Sequence, residues 1–473
     1  MRNLSCFGLI IVFALSGCLR LDPPEQTGEL IVAVRNSPPY YQVEDDKASG
    51  FDHDLAVLFA KQLGVKIRFV IANDPARLHK LVSGGKAHFA TSIAIRENAN
   101  GLRYTSALRQ ARQLLVEHAD DPPLEGEDDL TGLTIDALAG SVQAEHLQAM
   151  NKPTQVFTLS QKRNLNEIDL LEQVSLHHSE MAATDEVNFS IAQNFYPDIK
   201  IAYFLPGSIQ YAWAFPENGD QALFEKAQSF LAQIREDGTL ARINDRYFGH
   251  IERVREADVA GFLYRMQTLL PKYRVDFVTA QESTGLDWRL LAALAYQESH
   301  WDPTATSATG VRGMMMLTED TADHLRVSNR LDPRQSILAG GKYLAELVDQ
   351  LPPEIKHPDR VWLALAAYNL GMGHMNGARA IAKGLKRDPD SWYEMKQILP
   401  LLALEKYYNR LKSGRGRGGE AVIMVENIRT YYDILSRYEP LHKSTAKDFA
   451  DIRLTPRRSA PDRPSMAAGW QEP

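Results

Sequence analysis

The chain has 473 residues, 44% of them hydrophobic and 24% charged, with a formal net charge of −7. That composition suits an ordinary globular protein with core enough for two or three domains, and no basic excess points to nucleic acid as a partner. The chain shows no Walker-type phosphate loop, zinc-spaced Cys/His set or internal repeat, so no cofactor and no metal is expected.

In chain order, Arg2 precedes an apolar run from Phe7 to Gly17. The run is too short to span a bilayer and has the length of a signal-peptide core. It ends Leu15-Ser16-Gly17-Cys18, which resembles a bacterial lipobox. The resemblance implies that residues 1–17 are a cleaved signal peptide, that Cys18 is lipidated, and that 18–28 link the anchor to the first domain. A plain secretory signal with an incidental cysteine is the alternative. Cys6 would leave with the signal, so the mature chain holds one cysteine and no intrachain disulfide. Leu19, where sorting to the inner membrane uses aspartate, implies the periplasmic face of the outer membrane.

Residues 29–250 alternate strand and helix patterns. Glu29 to Arg35 is a strand-like apolar run, residues 54–64 an amphipathic helix closed by Gly64, and Lys66 to Ile71 a strand again. This rhythm predicts two-lobed α/β architecture with mostly parallel sheets. The stretches Ser37-Pro-Pro-Tyr40, Gly50-Phe-Asp-His-Asp-Leu55, Leu81-Val-Ser-Gly-Gly-Lys86, Ala139-Gly-Ser141 and Asp237-Gly-Thr-Leu-Ala-Arg-Ile243 occur in order over this segment. Together they resemble the periplasmic solute-binding proteins of the amino-acid type. The resemblance implies an amino acid or wall-peptide ligand between the lobes, with Ser141 and Asp185 helping to hold it and Tyr40 stacking on it. The family's carboxylate-binding arginine has no assigned counterpart, with Arg96 and Arg103 nearby. A degenerate cleft, in which Tyr40 and Asp185 are structural, fits the same residues.

Phe262, Leu263, Met266, Leu269 and Leu270 repeat at helical spacing, so residues 251–270 are expected to form an amphipathic helical connector with a buried face. Residues 271–440 carry helical patterns separated by short polar turns and predict an all-α domain. Within it, Asp359 to Asn369 is apolar on almost every side, hence a buried helix, with Gly371 placed to end it. Residues 441–473 are rich in Lys, Arg, Ser and Pro and predict a disordered tail.

The chemistry concentrates after Asp287, a helix N-cap followed by Trp288-Arg-Leu-Leu-Ala-Ala-Leu294. Leu291, Leu294 and Glu298 fall at i, i+3 and i+7, so a carboxylate sits on the apolar face. Loss of hydration there disfavours its charged form and keeps its proton to higher pH, as a general acid requires. Around it stand Ser299, then Gly313-Met314-Met315-Met316, then Ala367-Tyr368-Asn369. These three blocks, in this order, resemble the lysozyme-like lytic transglycosylases, and with the first module in front they resemble the membrane-bound members of that family.

The resemblance implies cleavage of peptidoglycan between N-acetylmuramic acid and N-acetylglucosamine, without water, to leave a 1,6-anhydro ring. Glu298 would be general acid and then general base, so no second catalytic carboxylate is expected, and Asp302 reads as a turn residue. Ser299 would orient Glu298. Gly313, Met314, Met315, Met316, Tyr368 and Asn369 would meet the glycan, with Met315 lining the groove and Asn369 a buried amide in need of partners. Two residues depart from the pattern. Met316 replaces a glutamine, and Met424 stands where a late tyrosine is usual, with Tyr431 and Tyr432 too far along to replace it. A hydrolytic muramidase and a wall-binding sensor with a spent lyase domain are the rival readings.

Overall fold

The structure is a computed structural model that describes residues 21–98, 101–151 and 157–443. The signal segment, Cys18 and the tail after Lys443 lie outside the described residues. Its strands, in chain order, are β1 (Glu29–Arg35), β2 (Gln42–Glu44), β3 (Lys47–Ser49), β4 (Lys66–Ala72), β5 (Phe89–Ala94), β6 (Leu102–Tyr104), β7 (Arg109–His118), β8 (Thr134–Leu138), β9 (Thr158–Lys162), β10 (Met181–Asp185) and β11 (Ile199–Pro216). All but the β2–β3 hairpin join one sheet in the order β4-β1-β5-β11-β7-β10-β8-β9, with β6 on β11.

The ends of this sheet are parallel, β1 with β4 and β5, and β8 with β9 and β10. The middle is antiparallel, β11 against β5 and β7, and β7 against β10. The expectation of mostly parallel sheets therefore fails at the centre. β7 carries the chain from the first lobe to the second and β11 carries it back, so two crossing strands side by side must run in opposite directions. Where a strand runs between two cores, consecutive apolar residues fill both of its faces. In β1, Leu30, Val32 and Val34 enter one core while Ile31 and Ala33 enter another on the opposite face. In β7 the same alternation sends Leu114 and Val116 one way and Leu115 the other.

The rest of the chain is helical around one core. The residues expected to connect the modules form the helix Glu256–Thr268, and a second helix, Leu270–Thr284, starts just before Pro271, which has no N–H to continue the ladder. The apolar face of the first is buried in the helical domain. Val259, Phe262 and Met266 enter that domain's core, and the Phe262 ring stacks on Tyr431 at 4.7 Å and meets Tyr296 edge-on at 4.5 Å.

The modules are joined instead through the helix Gly418–Tyr438. Glu426 on it is fully buried, bonded to Arg429 at 2.8 Å and to the Trp392 indole at 2.7 Å. Arg429 in turn donates to the carbonyls of Asp245 and Arg246 at the end of the first module. Further along, Arg437 bonds Tyr196, and Tyr438 donates to the Phe195 carbonyl at 3.0 Å, both in the second lobe. A second junction is Arg289, fully buried, which binds Asp287 and reaches Glu44 of β2 at 3.4 Å.

Candidate active site and lobe cleft

Glu298 lies in the last turn of the helix Trp288–Ser299. Asp287 caps that helix by accepting the Arg289 N–H, and every residue from Trp288 to Tyr296 is buried. The helix thus enters through the core and emerges at a cleft, where Glu298 is half-buried. Burial lifts its carboxyl to about 8, and among the described residues no opposing charge or hydrogen bond draws it back down. An open pocket of about 260 Å³ is lined by Gln297, Glu298, Asn369, Glu420, Ile423 and Met424.

The blocks singled out in the sequence converge here, with altered duties. Ser299 does not bond Glu298. Its hydroxyl is within hydrogen-bond reach of the Ala295 carbonyl, 3.1 Å, and the Met314 carbonyl, 2.8 Å, tying the helix end to the methionine loop. Met314 and Met315 are fully buried, so Met315 does not line the groove; only Met316 is half-exposed. Met315 packs so close to Gly340 that a Cβ there would lie 2.6 Å from its own Cβ. Gly313 has φ +84°, and a Cβ on it would meet the Arg330 carbonyl oxygen at 1.8 Å, so only glycine fits. The loop's role is to hold the wall of the site. Tyr368 supports it, donating its hydroxyl to the Met315 carbonyl at 2.8 Å, and burial raises that hydroxyl's pKa well above the usual tyrosine range. Asn369 is exposed rather than buried, because its helix turns out of the core after Ala367; its amide faces the pocket of Glu298.

Met424 lines the pocket where the tyrosine was expected. Tyr431 and Tyr432 do not replace it, since Tyr431 packs on Phe262 and Tyr432 donates to Asp287 at 2.9 Å. Asp302 accepts from the Thr304 N–H at 2.8 Å, as a turn residue does. Sequence reasoning missed Glu420, an exposed carboxylate in the same pocket, 3.4 Å from Arg417. It also missed Ile423, an exposed apolar side chain beside it. Both follow a glycine-rich turn, and neither stands out until the helix Gly418–Tyr438 is folded against Glu298.

Between the lobes the contacts are close. Arg35 and Ser37 of the first lobe bind Glu167 of the second, the hydroxyl at 2.9 Å. Arg96 donates to Glu145 and to the Gly140 carbonyl across the gap, so it is not free to hold a ligand. Arg103 donates to the Asp220 carbonyl at 2.8 Å on the rim of the first lobe. Ser141 caps the helix Val142–Met150 and accepts from Ala144. Asp185 is fully buried and accepts from the Val187 and Asn188 N–H groups, the Asn188 amide and the Tyr211 hydroxyl, which leaves it little capacity for an ammonium. A further cation in the cleft, Arg109, was also missed from sequence. Its guanidinium lies over the Tyr40 ring at 4.4 Å and the Tyr211 ring at 3.9 Å, with buried Nε and Nη1 and the Tyr40 hydroxyl unpartnered. Nearby Asp52 is buried, which raises its carboxyl to about 6 against a hydrogen bond from Ser92.

Residues 30–250 match the family described as bacterial extracellular solute-binding proteins, family 3, and residues 277–390 match the transglycosylase SLT domain. The second match ends before the helix that brings Glu420 and Met424 to the pocket. Proteins named membrane-bound lytic murein transglycosylase F are similar over nearly the full length. The one from Nitrosospira multiformis is 42% identical, covering 93% of this chain and 94% of that protein. The one from Methylobacillus flagellatus is 40% identical, covering 94% and 98%.

Proposed function

The chain belongs to the membrane-bound lytic murein transglycosylase F family and is a peptidoglycan lytic transglycosylase; from that premise we propose that Glu298 performs both proton transfers of the reaction. The observation that carries this is a carboxyl raised to about 8 by burial at a pocket it shares with Asn369. Protonated Glu298 gives its proton to the glycosidic oxygen as the bond to the muramic acid anomeric carbon breaks. The carbonyl oxygen of that sugar's N-acetyl group meets the positive charge, and the Asn369 amide holds the N-acetyl group. Ionised Glu298 then takes the proton of the C6 hydroxyl as its oxygen closes on the anomeric carbon. Ile423 and Met424 offer apolar surface to the sugar faces. Glu420 favours a second reading, hydrolysis, because it is a second carboxylate able to activate water.

A digest of purified peptidoglycan separates the two. Muropeptides with anhydro ends, one water lighter than hydrolytic products by mass spectrometry, are expected; reducing ends would make the enzyme a muramidase. The initial rate is expected to fall as pH rises through about 8, where Glu298 loses its proton. A rate that is flat from pH 6 to 9 would place the acid elsewhere.

The lobe cleft then serves as a sensor. Unpartnered Arg109 suits the carboxylate of an amino acid or wall peptide, and Tyr40 and Tyr211 flank it. Such a ligand competes with the Arg35–Glu167 bridge, changes the lobe spacing, and moves the helix Gly418–Tyr438, which contacts both lobes. Calorimetric titration with free amino acids and stem peptides is expected to show binding that Arg109→Ala weakens about 100-fold, about 3 kcal/mol. Undiminished binding by that variant would exclude the assignment. Among the described residues no helix is long and apolar enough to cross a membrane. Membrane attachment is assigned to lipidated Cys18 at the outer membrane, supported by the lipobox; Cys18→Ser protein is expected in the soluble fraction, and its retention in membranes would refute the anchor.

A further inference from the structure

We propose that the second lobe binds a divalent transition-metal ion of the zinc class through His118, Asp120 and His177. One donor atom from each of these residues lies within 4.8 Å of the other two. Two imidazole nitrogens and a carboxylate oxygen form a three-ligand set that Zn²⁺ accepts, with a fourth position left for water or an outside ligand. In a tetrahedral site with bonds of about 2.0–2.1 Å, donor atoms stand roughly 3.3 Å apart. His118 Nδ1 and Asp120 Oδ2 are already at 3.6 Å. The remaining closure falls to the side chains of Asp120 and His177, which are exposed.

The surroundings of His118 are those of a metal-binding imidazole. The residue closes the β7–β11 ladder opposite Ile199 and is buried, so its main chain is fixed. Its Nδ1 accepts a hydrogen bond from the Asp120 N–H at 3.2 Å, so this nitrogen carries a lone pair on the Asp120 side, and the metal would replace that bond. Its Nε2, on the far side of the ring, faces Asp198 Oδ2 at 3.7 Å. The other oxygen of Asp198 accepts from the Ser175 hydroxyl at 2.7 Å. At 3.7 Å Asp198 is not hydrogen-bonded to the ring, but its charge favours the tautomer protonated at Nε2, which leaves the Nδ1 lone pair for the metal.

His177 follows the helix Glu167–Ser175 with φ +53°, a left-handed conformation that glycine usually supplies at a helix end. There its ring rests on that of His118, with centroids 3.8 Å apart. The three ligands come from a strand end, the loop after it and a distant helix end. No local spacing announces them, which is why the sequence suggested no metal. The site stands apart from Glu298 and does not depend on the catalytic reading. It does bear on the lobes, because the helix that His177 follows begins with Glu167, the residue that bridges to Arg35.

The test is calorimetric titration of untagged, chelator-stripped full-length protein with Zn²⁺, and with Co²⁺ for its visible absorption. One equivalent is expected to bind, with a Co²⁺ spectrum of low coordination number and a raised Tm. His177→Ala and Asp120→Ala change exposed side chains and are expected to keep the fold while weakening binding on the order of 100-fold or more. Asp198→Asn, which leaves all three ligands in place, is expected to weaken it by about 10–100-fold. Absence of saturable binding, or binding unchanged in the His177→Ala, Asp120→Ala double variant, would overturn the site.

Discussion

Glu298→Gln is expected to reduce the release of anhydro-ended muropeptides by at least about 10³-fold, while the protein still folds and sediments with peptidoglycan. General acid or base catalysis is worth about 10²–10⁴-fold per step, and here one residue serves two steps in succession. The amide keeps the size of the side chain but can neither give nor take a proton. The rate is read from product formation under saturating substrate, alongside a wall-binding assay. Activity within tenfold of the parent would move the acid to another group, and Glu420, in the same pocket, would be the first to examine. The same variant has a stability signature. The Glu298 carboxyl is raised from 4.5 to about 8 in the folded protein, so between those values the folded state holds a proton that the unfolded chain has released. Folding is therefore progressively disfavoured as pH rises from about 4.5 to about 8. A neutral amide at this position carries no such penalty, so the Tm advantage of the variant over the parent is expected to be larger at pH 8.5 than at pH 5.

Arg289→Met is expected to cost about 3–5 kcal/mol, because it strands the buried Asp287 carboxylate without its cation. Arg289 is fully buried, and its guanidinium makes three contacts of 2.7–3.1 Å to Asp287. Asp287 also caps the catalytic helix and accepts the Tyr432 hydroxyl. For a domain of this size the loss corresponds to a fall in Tm on the order of 10 °C, readable by calorimetry. Glu44→Gln, which touches Arg289 at 3.4 Å from the first module, is expected to cost about 1 kcal/mol or less and leaves the Asp287 pair intact. Equal effects of the two substitutions would mean that the junction between modules, rather than the helix cap, carries the energy.

Short-range patterns were legible in the chain before folding. The strand at Glu29–Arg35, the helix closed by Gly64 and the capped helix that ends at Glu298 all appear where periodicity and caps place them. The carboxylate among leucines was visible because a helix repeats its faces every 3.6 residues, so one polar residue out of phase declares itself. The duties of its neighbours were less legible. Ser299 and Met315 carry the family pattern, yet the folded chain spends the serine hydroxyl on backbone carbonyls and buries the methionine. Asn369 looked buried from its helix and is exposed, because burial depends on where the helix leaves the core.

By itself the sequence determined the two module types and singled out Glu298 as the candidate proton carrier, since these rest on periodicities and motifs within a few turns of chain. Only the tertiary structure decided which distant residues share a site. Glu420 and Met424 meet Glu298, Arg109 lies between Tyr40 and Tyr211, and His118 meets His177, in each case from segments far apart in the chain. It also decided that the helix presumed to connect the modules belongs to one of them, while the helix Gly418–Tyr438 joins both. Local propensity sets what each segment becomes, but long-range packing sets what it touches, because a packed core admits few arrangements of its elements and the chain does not spell out that choice locally.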